Sequence, residues 1–320
     1  MLSSSGMQGV LALSGGVGGA KLAAGLAAAL PAELLTIVAN TGDDFQHFGF
    51  HIAPDLDSVM YALAGENDRK RGWGLADESW QFMEALAAVG GETWFRLGDR
   101  DLATHVQRTA LLNSGLGLEA ATQGLCEQLG IQHRLIPMTD QAVRTIVQTK
   151  EGDLEFQQYF VAHQCEPKVK GFYFDGIGKA LPNKAIGADL QAERYRAVII
   201  CPSNPFVSVD PILRLEGVQQ ALRSFSGPRV AVSPIVGGKA LKGPAAKMMK
   251  ELSMPSDALG VAHYYKGLLS HFVIDHVDAH LTPAIEELGL KVICTNSVMR
   301  SIEDQQQLAI EILEEINGAG

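Results

Sequence analysis

Cysteine is scarce in this 320-residue chain, and the four present (Cys126, Cys165, Cys201, Cys294) stand far apart with no C-x-x-C spacing. That excludes a cysteine-built zinc cluster or a disulfide framework and points to a reducing compartment, the cytoplasm. The opening "MLSSSGMQG" has neither the basic start nor the long apolar middle of an export signal, and no run reaches the ~18 uninterrupted apolar residues of a membrane span. Positive charge is also short: 26 Lys and Arg against 36 Asp and Glu leave a formal charge of −10. General affinity for nucleic acid or for anionic membranes, themselves polyanions, is thereby disfavoured. Internal repeats, low-complexity tracts and a Gly/Ser/Pro linker are missing too. Apolar residues are abundant, at 47%, enough for the core of one large domain or two smaller ones.

Those apolar residues fall into β-prone runs that alternate with helical patterns. "GVLALS" precedes a helix through Leu30, "ELLTIVAN" precedes "DLDSVMYALAG", and "RAVIICPSN", "RVAVSPIVGG", "HFVIDH" and "KVICTN" follow later. Runs such as Val198 to Cys201 are apolar throughout, as strands covered on both faces should be. The expected fold is α/β: a doubly wound, mostly parallel, Rossmann-like sheet with strands from both ends of the chain. Residues 68–130 read as successive helices without strand rhythm, a helical insertion into a core formed by 1–67 and 131–320. From His133 to Phe174 several β-like segments fit either an antiparallel addition or further strands of the main sheet.

The first chemical signal is "ALSGGVGGAKLA", in which Gly15, Gly16, Gly18 and Gly19 separate a strand from a helix. Unpaired amides and the positive end of the helix dipole make such a turn an anion site, with Gly16, Gly18, Gly19 and Lys21 as the phosphate cradle; otherwise it is only a tight turn. A P-loop is excluded, because Leu22 follows Lys21 where Ser or Thr is needed. A dinucleotide fingerprint is broken, because Lys21 takes the third glycine's place and Asn40, not an acid, ends the second strand.

After that strand, "NTGDDFQHFGFHIAPDLDSVMY" supplies Asp43, Asp44, Asp55 and Asp57. Four carboxylates beside an anion site would repel the ligand unless a divalent cation lies between, and Mg²⁺ takes one or two carboxylates plus phosphate oxygens. The plainer alternative makes Asp55 a helix N-cap, Asp57 a first-turn acid, and Asp43 and Asp44 solvated turn residues. Further on, "DRKRGWG" places three basic residues beside Trp73, and "LGDRDLATH" gathers Asp99, Arg100, Asp101 and His105. The first suits a planar ring and a phosphate, and the second equally opens a helix with a buried histidine. In the second half, "CPSNPFVSVDPIL" offers Ser203, Asn204 and Ser208, and "SPIVGGKALKGPA" offers Ser233, Gly237, Gly238, Lys239, Lys242 and Gly243 in loops after strands.

In this order, "SGGVGGAKLAAGL", "NTGDD", "PDLDSVMYALAG", "RGWGLADESW", "LGDRDLATHVQRT", "LIPMTD", "FQQYFV", "PSNPFVSVDPIL", "VAVSPIVGGKALKGPA" and "GVAHYY" resemble the 2-phospho-L-lactate transferase (CofD) family over essentially the whole chain. The resemblance implies that a guanosine-diphosphate-activated phospho-acid meets the deazaflavin alcohol Fo, GMP leaves, and a phosphodiester of the coenzyme F-420 type forms with Mg²⁺. The implied acid is 2-phospho-L-lactate, phosphoenolpyruvate or 3-phosphoglycerate. It makes Asp43, Asp44, Asp55 and Asp57 the pool of metal ligands, with Asp44 foremost and Asp44 and Asp57 the catalytic candidates. Ser203, Asn204, Ser233, Gly237 and Lys239 then face the guanosine diphosphate, and Asn40, Thr41, Trp73, Arg100 and His105 the deazaflavin. Asp210 stands where glycine is expected, and Ala246 and Lys247 where Asp-Arg is common. A sugar-nucleotide-binding regulator of the same superfamily and a nicotinamide oxidoreductase are the alternatives; the aromatic and basic insertion argues against the first and the broken fingerprint against the second. A homodimer is the default expectation for an enzyme of this size.

Overall fold

The computed structural model describes residues 8–318; residues 1–7, where no export signal is expected, and 319–320 lie outside the described part. Seven strands form a wholly parallel central sheet: β1 (Gly9–Ser14), β2 (Leu35–Ala39), β3 (Arg134–Pro137), β4 (Tyr195–Ile200), β5 (Arg229–Val232), β6 (His271–Asp275) and β7 (Lys291–Thr295). Their spatial order is β7-β6-β5-β4-β1-β2-β3. The chain builds outward from β1 to β3, then returns to β4 on the other side of β1. The ends of β1 and β4 therefore diverge at a topological switch point, where doubly wound sheets open a crevice.

Strand alternation sends residues to opposite faces, and both faces are covered. Leu11, Leu13, Val38, Val198 and Ile200 belong to one buried cluster, and Val10, Ala12, Ile37, Ala39, Ala197 and Ile199 to another. On the second face lie α1 (Gly16–Ala29), α2 (Pro54–Ala64) and the C-terminal helix Ile302–Asn317. The last begins with a capping box between Ser301 and Asp304. Gly25 lets two of these helices touch: a Cβ there would sit 2.1 Å from the Gln305 carbonyl oxygen.

Between β2 and β3 the chain forms α3 (Gln81–Ala88), α4 (Asp99–Asn113) and α5 (Leu118–Gln128). Leu118, Leu125 and Cys126 of α5 join the main core, whereas Met83 of α3 belongs to a separate small core with Phe45, Ile52, Leu97, Trp80, Trp94 and Phe95. Asp99 caps α3 from outside, accepting from the Ser79 hydroxyl and the amides of Gln81 and Phe82. Both readings of the 133–174 region hold in part: β3 extends the main sheet, and Arg144–Thr149, Asp153–Glu155 and Val169–Asp175 form a separate antiparallel sheet. All four cysteines are free. No helix among the described residues is long and apolar enough to cross a membrane.

Candidate active site

At the switch point the loops after β1 and β4 are in contact. Gly15 N–H donates to Ser203 Oγ at 3.1 Å, so the second-half loop holds the first-half turn. The glycines there are required by proximity. A Cβ on Gly18 would stand 2.4 Å from the Pro202 carbonyl oxygen, and one on Gly19 2.5 Å from Ser203 Oγ and 2.6 Å from Ser14 Oγ. Gly16 also takes a φ of +62°, which favours glycine. The first-turn amides of a helix have no acceptor within it, and Val17 and Gly18 line a cavity of about 660 Å³.

The aspartate segment reaches the same place. Asp55, in the first turn of α2, accepts from Gly16 N–H at 2.5 Å. It does not cap its own helix, whose N-cap is Ala53 with Pro54 following. The fully buried Asn40 organises the group, donating to Asp55 Oδ2 at 2.9 Å, to Asp43 Oδ1 at 3.4 Å and to the Val207 carbonyl at 3.3 Å, while its own oxygen accepts from Gly42 N–H. Gln157 donates to the other oxygen of Asp43 at 2.8 Å. Asp43 and Asp55 are each 5% exposed and, among the described residues, neither has a Lys, Arg or His within salt-bridge distance. Burial, reinforced by the neighbouring carboxylates, pushes Asp43 well above the ordinary carboxylate range. Burial likewise lifts Asp55 to about 7, against the hydrogen bonds from Asn40 and Gly16. Two such oxygen donors short of a counter-charge suit a hard divalent cation.

Asp44 and Asp57 are placed differently. Asp44 Oδ2 pairs with His51 Nε2 at 2.8 Å, and its buried Oδ1 has no partner among the described residues. Asp57 is held bidentately by Arg108, which is 1% exposed and projects from α4. His105 lies between Asp57, at 3.7 Å, and Asp101, at 3.4 Å, and the Tyr61 hydroxyl donates to Asp101 at 2.5 Å. Burial opposes ionisation of Asp101, but His105, Tyr61 and Arg108 outweigh it and its pKa falls. Asp57, Asp101 and His105 present ligand atoms within 4.8 Å of one another and form a second set able to hold a metal ion. Arg108 already supplies a cation there, so Asp43 and Asp55 have the greater need of one.

Of the residues singled out from the sequence, Gly16, Gly18, Lys21, Asp43, Asp55, Asp57, Trp73, His105, Ser203, Asn204 and Ser233 line the cavity. Gly19 lies just behind it, against Ser203 and Ser14. Thr41 is buried, and Arg100 faces outward, bonding Glu66 at 2.6 Å and the Ala76 carbonyl at 2.7 Å. Gly237 and Lys239 belong to a two-residue hairpin between Ile235–Val236 and Lys239–Ala240, whose turn glycines have φ of +56° and +72°. Lys242, beyond that hairpin, does line the cavity. Reading the sequence missed Arg108, Gln157 and Arg96, and did not tell Arg71, which lines the cavity, from its basic neighbours Arg69 and Lys70. Arg71 and Arg96 lean on the Trp80 ring at 4.8 and 4.2 Å, and the "RGWG" and "FQQYF" stretches were the available signals. The departures have local partners: Asp210 accepts from the Tyr264 hydroxyl at 2.6 Å, and Lys247 pairs with Glu251 at 2.7 Å.

The model of the family "2-phospho-L-lactate transferase CofD" matches residues 10–308. A phosphoenolpyruvate transferase of Streptomyces griseus is 38% identical over 312 residues, covering 95% of this chain and 97% of that protein. A 2-phospho-L-lactate transferase of Methanosarcina acetivorans is 38% identical over 301 residues, covering 94% and 96%. The crystal structure of a UPF0052 family member from Bacillus halodurans shares the fold, with a TM-score of 0.62 at 14% identity, covering 96% of this chain and all of that one. A Rossmann-like switch point with an acid-lined cavity and whole-length similarity to named transferases lead to one conclusion: this chain belongs to the 2-phospho-L-lactate transferase CofD family.

Proposed function

We propose that this protein transfers a phospho-acid from a guanosine-diphosphate-linked donor to the deazaflavin alcohol Fo, releasing GMP. The supporting observation is the Gly16 N–H to Asp55 hydrogen bond, which ties the glycine turn and the aspartate segment into one wall of one cavity. In this reading the Fo hydroxyl oxygen bonds to the phosphorus carrying the acid, the bond from that phosphorus to the bridging oxygen breaks with its electron pair leaving on GMP, and the hydroxyl proton passes to solvent. Such a displacement needs charge neutralisation and alignment more than covalent help.

Gly16, Gly18 and Lys21, with Gly19 behind them, hold the phosphates. Asp43 and Asp55 are the metal ligands, with Mg²⁺ the matching ion, and Asn40 and Gln157 aim them. The bound ion would neutralise diphosphate charge as GMP departs. Asp44, backed by His51, supports that group from behind, and Asp57 orients His105 through its pairing with Arg108. Ser203, Asn204 and Ser233 face the nucleotide, and Trp73 and His105 face the deazaflavin. The acceptor side is the 68–130 insertion on a core of 1–67 and 131–320. The protein acts in the cytoplasm as a homodimer on small molecules. The test is incubation with Fo, Mg²⁺ and each GDP-linked phospho-acid, with mass analysis. A phosphodiester of Fo plus stoichiometric GMP is expected; unchanged Fo with all three donors would refute the reading.

A further inference from the structure

The cavity holds a second ammonium group beside the one assigned to the phosphates. Lys21 and Lys242 both line it, and among the described residues neither forms a salt bridge. Among the described residues Lys21 Nζ donates only to the Met299 carbonyl, at 2.8 Å, and Lys242 Nζ only to the Arg71 carbonyl, at 3.5 Å. The two ammonium groups act on each other: burial and then the nearby Lys242 charge draw the Lys21 pKa down, and Asp304 only partly offsets them. Lys242 is pressed against the Arg71–Gly74 strap, where a Cβ on Gly72 would stand 1.5 Å from its Nζ and Gly72 has a φ of +82°. Lys21, Gly72, Trp73 and Gly74 also line an adjoining cavity of about 230 Å³, so Lys21 stands where the two spaces meet and Lys242 lies on the side of the larger one.

Lys21 is five residues along α1 from Gly16, a rise of ~7.5 Å from the anion-binding end of the helix. An anionic group one or two bonds beyond the phosphates falls in this range, and the donor has one: the carboxylate of the acid. We propose that Lys242, with Lys21 beside it, is the specificity-determining group that reads the carboxylate of the transferred phospho-acid. This rests on the transferase reading above. A carboxylate between two ammonium groups relieves their repulsion and gains charge-assisted hydrogen bonds, whereas a neutral carboxamide leaves the repulsion in place.

The experiment compares whichever of the three GDP-linked phospho-acids the parent turns over with its carboxamide analogue, using the parent, Lys242→Met, Lys242→Arg and, as a control for lost surface charge, Lys250→Met. The expected parent prefers the carboxylate in kcat/KM. Lys242→Met loses about ten-fold of that preference through a raised donor KM, Lys242→Arg recovers most of it, and Lys250→Met keeps it. GDP affinity, measured separately by calorimetry, stays within about two-fold of the parent in Lys242→Met, because the nucleotide does not use this group. An equal loss for both donors, or an unaltered preference, would overturn the proposal. A parent that turns over none of the three carboxylate donors would instead overturn the transferase reading beneath it.

Discussion

Two glycine-rich loops with nearly the same letters, "SGGVGG" after β1 and "VGGK" after β5, serve different ends. In the first, Gly18 and Gly19 have no room for a Cβ because the backbone and side chains of the Pro202–Ser203 loop lie against them. In the second, a Cβ on Gly237 or Gly238 would meet nothing nearer than 3.9 Å; the glycines supply only the positive φ of a hairpin turn. The first turn thus borders the cavity and is fixed by Asp55 and Ser203, while the second presents Lys239 to solvent. Glycine composition does not separate these cases; what packs against each glycine does.

The comparison is broken most severely at Asp55. Asp55→Ala removes the acceptor for Gly16 N–H and, in the proposed mechanism, a metal carboxylate, and turnover measured by GMP release is expected to fall on the order of 10²–10³-fold. Asp55→Asn keeps the size and gives a second handle, pH. Burial lifts the folded Asp55 pKa from an ordinary 3.8 to about 7. The carboxyl's contribution to stability is therefore full below about pH 4 and lost as pH rises through 7. In chelator, the melting temperature of Asp55→Asn relative to the parent should rise between pH 4 and 7; a flat difference would show that Asp55 ionises freely.

Gly18→Ala comes next. Because the obstacle is the Pro202 carbonyl, 2.4 Å away, and not a flexible side chain, a loss of about 2–3 kcal/mol in denaturant unfolding is expected. Gly238→Ala, strained in φ but unobstructed, should lose about 1 kcal/mol. Equal costs would erase the distinction between the loops. The smallest effect belongs to Lys239→Met, expected to leave kcat/KM within about two-fold, since this side chain lies outside the cavity.

The sheet was readable because apolar runs such as "VLAL" and "AVII" alternate with helices, and burial on both faces leaves little else for them to be. The "GG" pair after β5 could be read as a phosphate loop because a hairpin turn uses the same residues, and the strand pairing that makes it a hairpin has no local sequence signal. The aspartates were visible as a group, but their division was not. Asp57 is neutralised by Arg108 from α4, 51 positions away, and Asp43 is held by Gln157, 114 positions away. Neither partner has a local sequence signal tying it to an acid. Asn40 read as a strand end lacking the ribose-binding acid and, through the family resemblance, as a deazaflavin contact; in the structure it is a fully buried amide that gathers Asp43 and Asp55.

The most direct test is a crystal structure of the protein with guanosine diphosphate and Mn²⁺ in place of Mg²⁺, the metal located by its anomalous signal. The account predicts the metal at ~2.1–2.2 Å from oxygens of Asp43 and Asp55 and of the diphosphate, with the phosphates over the amides of Val17 and Gly18. A metal held by Asp57, Asp101 and His105, or a diphosphate seated on the 235–240 hairpin, would contradict it.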